Sequence, residues 1–249
     1  MIDNIDLSKW RDGDIKDNAE CVPQNNFRAI VSGGSGSGKT ICVVNMILKY
    51  LTFDRIYIFG PSIEQPAYKM LQETFGKIDE ERAEIVSVFN ENRSNKKKGI
   101  RMKMPPRILT MAENLDSFDL DKVDKSLQNL VILDDLVLAK QNPMINLYVR
   151  GRHRNCSVMY LTQCFYGCPK IIRTNATCVL LFNPTTKREL QQLYRDIGAG
   201  IDQKQFISTV LEALKERFSF VKIDTAQGDL AKRYTAGLNK SLFNQASLH

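Results

Sequence analysis

Val31-Ser32-Gly33-Gly34-Ser35-Gly36-Ser37-Gly38-Lys39-Thr40 carries four glycines in six residues, followed at once by a lysine and a threonine. Glycine loses more backbone entropy on folding than any other residue, so such a cluster is costly. Its flanks show what it serves. Phe27-Arg28-Ala29-Ile30-Val31-Ser32 is a short apolar run with β-branched residues, preceded by the polar Pro23-Gln24-Asn25-Asn26, and it reads as a buried strand. The run from Ile41 to Leu51 is long and apolar enough to predict a buried helix. In that strand–loop–helix context Gly33, Gly38, Lys39 and Thr40 fit the phosphate-binding pattern G-x-x-x-x-G-K-[ST]. Gly33, Gly34, Ser35, Gly36, Ser37, Gly38 and Ile41 would then turn backbone N–H groups onto a polyphosphate, at the positive end of a helix dipole. Lys39 would bridge the β- and γ-phosphates of ATP, and the Thr40 hydroxyl would ligate Mg2+. A plain Gly/Ser turn has no need of Lys-Thr at that offset.

Composition bounds the rest. A chain of 249 residues, 43% hydrophobic and 25% charged, can bury the core of one large domain. No run of about 18 apolar residues exists, which predicts no membrane span. The opening Met1–Asp14 is polar and mixed in charge, unlike a secretory signal. The six cysteines are scattered, several within apolar runs, and read as reduced core residues. Cys164 and Cys168 have metal-ligand spacing, but no second Cys/His pair lies near them. The net charge of +7 is concentrated rather than spread. Between Arg93 and Lys103 there are six basic residues and no acidic one. A second concentration is Arg150-Gly151-Arg152-His153-Arg154. Lys96, Lys97, Lys98 and Arg101 are the candidates for sequence-independent contacts with a nucleic-acid backbone.

Further apolar strands are predicted at Arg55–Phe59, Leu130–Leu133, Ser157–Leu161 and Thr177–Phe182, with helical patterns between them at 65–75, 143–153 and 186–197. Such alternation predicts an α/β fold with a mostly parallel sheet flanked by helices, and ligands at the carboxyl ends of its strands. Residues 84–127 read as an edge insertion carrying the basic loop, with short strands at Ile85–Phe89 and Arg107–Thr110. A helix over 203–216 and a late strand over 217–223 follow. Residues 1–26 read as an N-terminal extension and 225–249 as a polar C-terminal tail, all within a single ATPase domain.

The run Leu130-Val131-Ile132-Leu133-Asp134-Asp135 is four apolar residues closed by two acids, a Walker B pattern. Asp134 would hold Mg2+ opposite Thr40, and Asp135 would orient the attacking water. Most P-loop ATPases of this branch carry glutamate at the second position, and Glu64 is the other carboxylate in view. Gln163 closes the strand expected between the glycine-loop strand and the Asp134 strand, where it would sense the γ-phosphate. A guanine-reading N-K-x-D is absent from a late strand, as is an LSGGQ-like signature. A small-molecule kinase of similar length stays as a distant alternative.

The chain resembles the viral genome-packaging ATPases of the FtsK–HerA superfamily, the poxvirus-type group of large DNA viruses, virophages and related elements. The residues that carry the likeness are Gly33–Thr40, Ile56–Leu71, Leu130–Leu136 and, most specifically, Arg150–Gln163, with the whole likeness covering about Phe27 to Ile197. The resemblance implies a RecA/ASCE-like P-loop ATPase that forms a ring of five or six subunits. It implies threading of double-stranded DNA into a preformed capsid, with capsid or portal-vertex proteins as partners and host cytoplasmic or nuclear assembly sites as location. It implies an arginine reaching the neighbour's nucleotide: Arg150, Arg152 and Arg154 are candidates, Arg152 the first choice. A cellular-type DNA helicase or translocase shares the same motor and is the competing reading.

Overall fold

The computed structural model describes residues 22–23, 26–94, 102–184, 186–198 and 200–243. Its nine strands form one sheet: β1 (Arg28–Ser32), β2 (Arg55–Phe59), β3 (Leu109–Ala112), β4 (Asn129–Asp134), β5 (Cys156–Thr162), β6 (Cys178–Phe182), β7 (Phe220–Asp224), β8 (Tyr234–Ala236) and β9 (Lys240–Ser241). Their order is β3-β2-β4-β5-β1-β6-β7-β8-β9. Neighbours among β1–β6 are parallel, and β7–β9 add antiparallel strands at one edge. The helices are α1 (Lys39–Lys49), α2 (Pro66–Ser94), α3 (Gln141–Arg150), α4 (Lys170–Asn175), α5 (Lys187–Ile197), α6 (Gln203–Ala213) and α7 (Leu230–Arg233). None is long and apolar enough to cross a membrane, among the described residues.

The apolar strands are continuous because both faces of the sheet are covered. Ile30, Val131, Leu133, Val158 and Tyr160 enter one core layer with Met144, Leu190 and Phe206 of α3, α5 and α6. Their chain neighbours Ala29, Val31, Leu130, Ile132 and Met159 enter the other, with Val43, Met46, Tyr68 and Leu71 of α1 and α2. Every residue of β4, β5 and β6 is buried. The expected topology therefore holds: β5 lies between β1 and β4, and the glycine loop, Asp134 and Gln163 follow the carboxyl ends of three adjacent strands.

Three stretches differ from the reading of the sequence, the first being 214–219, where a helix to 216 and a strand from 217 are expected and a turn joins α6 to β7. Ile85–Phe89, expected as a strand, is the continuation of α2, which runs for 29 residues. Its β-branched run is embedded in Glu-, Lys-, Ala- and Arg-rich helix formers, and their preference prevails. Asp79 in mid-helix accepts the Ile108 N–H at 3.0 Å, which ties α2 to the lead-in of β3. Residues from Thr225 onward are not all tail, since β8 and β9 extend the sheet and Tyr234 is fully buried. Strands of two or three residues show no legible period.

Candidate active site

The loop between β1 and α1 has the shape of an anion cradle. Gly33 lies so close to the end of β6 that a Cβ there would stand 2.5 Å from Phe182 Cβ. Gly38 caps α1 at φ 99°, a left-handed conformation natural to glycine. No side chain caps α1 and no acid lies in its first turn, which leaves its terminal N–H groups to a ligand. The Gly33 N–H donates to Thr162 O at 3.2 Å, so the loop is fastened to β5 at its first residue. Lys39 Nζ donates to Gly33 O at 2.7 Å and Gly34 O at 3.0 Å, folded along the cradle. Burial lowers its pKa, while Asp134 and Asp135 act the other way.

Asp134, 9% exposed, closes β4. Its Oδ2 accepts from Tyr68 Oη at 2.8 Å and Gln65 Nε2 at 3.2 Å. Burial raises the Asp134 carboxyl above the ordinary value; the two donors and Lys39 oppose this, and Asp135 adds to it. Gln65 and Tyr68 flank the start of α2 at i and i+3, on the stretch that carries part of the family likeness, yet the sequence suggested no role for them. The signal was there: two polar residues one helical turn apart, just past the end of β2. A Thr40 hydroxyl and an Asp134 carboxylate are hard oxygen donors, a set that suits Mg2+ bound together with phosphates.

Asp135 turns outward at φ 53° and is exposed. Its N–H donates to Leu161 O at 3.1 Å, and its Oδ2 accepts from Gln163 Nε2 at 2.9 Å. The ends of β4 and β5 thus bring Asp135 and Gln163 together. Glu64 is exposed and pairs with Lys69 at 3.5 Å.

Arg152 is not brought to this cluster. It lies in a turn at Gly151–Arg154, ahead of β5, whereas the loop is fastened to the far end of that strand. Seven residues of β5 separate the two, roughly 20 Å at the rise of a strand. Arg150 and Arg154 both bind Asp121, at 3.1 and 2.6 Å. Arg152 is exposed and its Nε approaches His153 Nε2 at 3.4 Å. Lys96, Lys97, Lys98 and Arg101 lie outside the described residues. Met102, the first described residue after them, donates its N–H to Asn90 Oδ1 at 2.9 Å.

A cavity of about 540 Å3 adjoins the cradle, lined among others by Gly34, Ser37, Asn183, Pro184, Arg217 and Phe218. The sequence suggests no binding role for 183–184 or 214–219, because only the meeting of β6 and β7 beside β1 carries these turns to the loop.

Comparison with known proteins gives this constellation its relatives. Residues 80–223 match the Poxvirus A32 protein family, a span that takes in Asp134, Asp135, Arg152 and Gln163 and begins beyond the glycine loop. The chain is 31% identical over 161 residues to the DNA packaging protein OPG160 of Variola virus, covering 63% of this chain and 53% of that protein. It is 30% identical, with the same coverage, to the DNA packaging protein OPG160 of Vaccinia virus (strain Copenhagen). The chain spans about half the length of the curated relatives it matches. In fold it is similar to the genome packaging NTPase B204 from Sulfolobus turreted icosahedral virus 2 in complex with AMPPCP, with TM-score 0.52 and 13% identity over 86% of this chain and 98% of that one. VirB4 of Thermoanaerobacter pseudethanolicus is similar with TM-score 0.54 and 10% identity, over 89% and 91% of the two chains. With more than half of its length inside the family match, the chain belongs to the Poxvirus A32 protein family.

Proposed function

We propose that this chain hydrolyses ATP with Mg2+ to move double-stranded DNA, packaging a viral genome into a preformed capsid as a ring of five or six subunits. The observation that carries the reading is the Asp135–Gln163 pair beside the lysine-bearing cradle, with Asp134 held from behind by Tyr68 and Gln65. It unites an anion site, a buried carboxylate for a metal and an exposed carboxylate for a water. The relatives named as DNA packaging proteins support the substrate.

On this reading the triphosphate draws Lys39 off the Gly33 and Gly34 carbonyls and takes the α1 N–H groups. Mg2+, when bound to Asp134 and Thr40, would neutralise charge on the β- and γ-phosphates. Asp135 accepts the proton of the attacking water while Gln163 holds both the carboxylate and the water in place. Arg152 precedes the end of β5 that is remote from its own site and would serve the nucleotide of a neighbour, where a guanidinium stabilises charge in the transition state. Lys96, Lys97, Lys98 and Arg101 would grip the DNA backbone without reading bases, and capsid or portal-vertex proteins would hold the ring.

ATPase rate with and without double-stranded DNA, alongside the mass of the assembly, tests this. Turnover should rise with DNA and disappear in Lys39→Ala without unfolding. Asp135→Asn should still bind ATP but hydrolyse at least about a hundredfold more slowly. Equal loss from Glu64→Gln with Asp135→Asn active would transfer the role of base to Glu64. Neutralising Lys96, Lys97 and Lys98 should lower the salt slope of DNA binding by roughly 0.9 per lost contact. A chain that turns over ATP identically with and without DNA at any salt would refute the translocase.

A further inference from the structure

We propose that Phe218 and Arg217 form a stacking platform for the base of the bound nucleotide, an inference that rests on the phosphate-site reading above. Phe218 stands at φ 67°, in the left-handed region that a bulky aromatic rarely occupies, and half of it is exposed. Both properties are unfavourable for a residue that only packs. Strain of this kind persists where the surroundings over-determine it, and here they do. The preceding turn is closed by Glu216 O, which accepts from Ser219 N at 3.2 Å and Ser219 Oγ at 2.7 Å. Two residues on, Phe220 opens β7 and packs on Phe182 with ring centroids 5.3 Å apart. Residue 218 is fixed from both sides, with its ring projecting toward the loop.

Its place is specific. A Cβ on Gly38 would lie 3.2 Å from Phe218 Cδ1, so the ring comes against the residue that caps α1. The Arg217 guanidinium lies over the ring, 4.6 Å from its centroid, forming a cation–π stack with Phe218. This stack, Pro184 and Asn183 wall the cavity that also opens onto Gly34–Ser37. A ligand whose phosphates lie along the cradle therefore has a walled space beside it, with a half-exposed aromatic ring and its stacked guanidinium on the wall. A nucleobase is the part of a nucleoside triphosphate that such a face takes. Every base has a π-face, so stacking binds it without reading its edge.

The test uses Phe218→Gly, which removes the ring and relieves the left-handed strain, offsetting part of the packing that is lost, with the fold of the variant checked by its melting transition. Calorimetric titration of the intact chain with ATP and, separately, with inorganic tripolyphosphate reads the two parts of the site. Phe218→Gly should weaken ATP about tenfold, the scale of one base–aromatic stack, and leave tripolyphosphate unchanged. Phe218→Trp, which keeps a π-face, should stay within about threefold of the parent on ATP. Unaltered ATP affinity in folded Phe218→Gly would overturn the platform. So would an equal loss for ATP and tripolyphosphate, since the ring would then act on the shape of the loop. If the parent chain binds neither ligand, the phosphate-site reading itself falls, an outcome distinct from the other two.

Discussion

Asp134 is a residue held at a cost to stability. Burial raises its carboxyl above the ordinary value, against the pull of Tyr68, Gln65 and Lys39. A carboxyl whose folded-state pKa exceeds its unfolded value favours the folded chain while protonated, and this contribution is lost as pH rises through the raised pKa. At neutral pH, without metal or nucleotide, that contribution is diminished and the burial of this carboxyl weakens the fold. Asp134→Asn removes the charge and keeps an acceptor oxygen for Tyr68 and Gln65. Calorimetric melts should show Asp134→Asn more stable than the parent at neutral pH, the gap closing as pH falls toward the unfolded carboxylate value, while hydrolysis is abolished. A variant no more stable at neutral pH would show that the burial cost is already offset. Asp135 is a second case: its backbone is left-handed at φ 53°. Aspartate is among the few non-glycine residues that tolerate this region. That gives a physical reason for an aspartate where most P-loop ATPases of this branch carry glutamate.

At the scale of elements, α2 does more than cross over from β2 to β3. Its first turn fastens Asp134 through Tyr68, its middle fastens Ile108 through Asp79, and its far end fastens Met102 through Asn90. Tyr68 is fully buried, packed with the α1 layer, and its phenol pKa is driven far up by burial and by Asp134, so it remains a hydrogen-bond donor throughout the working pH range. Tyr68→Phe keeps the ring and deletes the donor, leaving Asp134 with Gln65 alone of the two. The expected outcome is a fall in hydrolysis of about tenfold, the scale of losing one hydrogen bond to a charged group. Metal-free nucleotide binding should be unaltered, and the Mg2+ concentration for half-maximal rate should shift. An unchanged Mg2+ dependence would mean that Tyr68 only fills the core.

The whole molecule places opposite chemistry at opposite ends of one strand. Gln163 follows the carboxyl end of β5 and Arg152 precedes its amino end, so one subunit cannot apply both to one nucleotide. Within the proposed ring, Arg152 of one subunit would complete the site of the next. Mixing Arg152→Ala with Lys39→Ala subunits should then recover part of the ATPase activity, because some interfaces join an intact cradle to an intact arginine. No recovery at any ratio, with assembly confirmed by mass, would show that Arg152 does not act between subunits. Arg150 and Arg154 are poorer choices, since Asp121 already binds both.

Local chemistry was enough for the sequence to determine the cradle, the Asp134–Asp135 strand end and the parallel core. Glycines before Lys-Thr, continuous apolar strands and acids at a strand terminus each follow from residues close in the chain. The placement of β5 between β1 and β4 was legible too, because the order of motifs along the chain implies it. The partners of Asp134, the trace of α2 past Phe75 and the strands after Thr225 were not legible. Tyr68 meets Asp134 across 66 residues, and Gln163 meets Asp135 across 28. The stretch Ile85–Phe89 has strand-like residues in a helix, and β8 and β9 are too short to show a period. Only the sheet, by carrying 183–184 and 214–219 to the side of the glycine loop, decided that Phe218 stands there: burial on both faces sets which strands adjoin, and no local pattern encodes that contact.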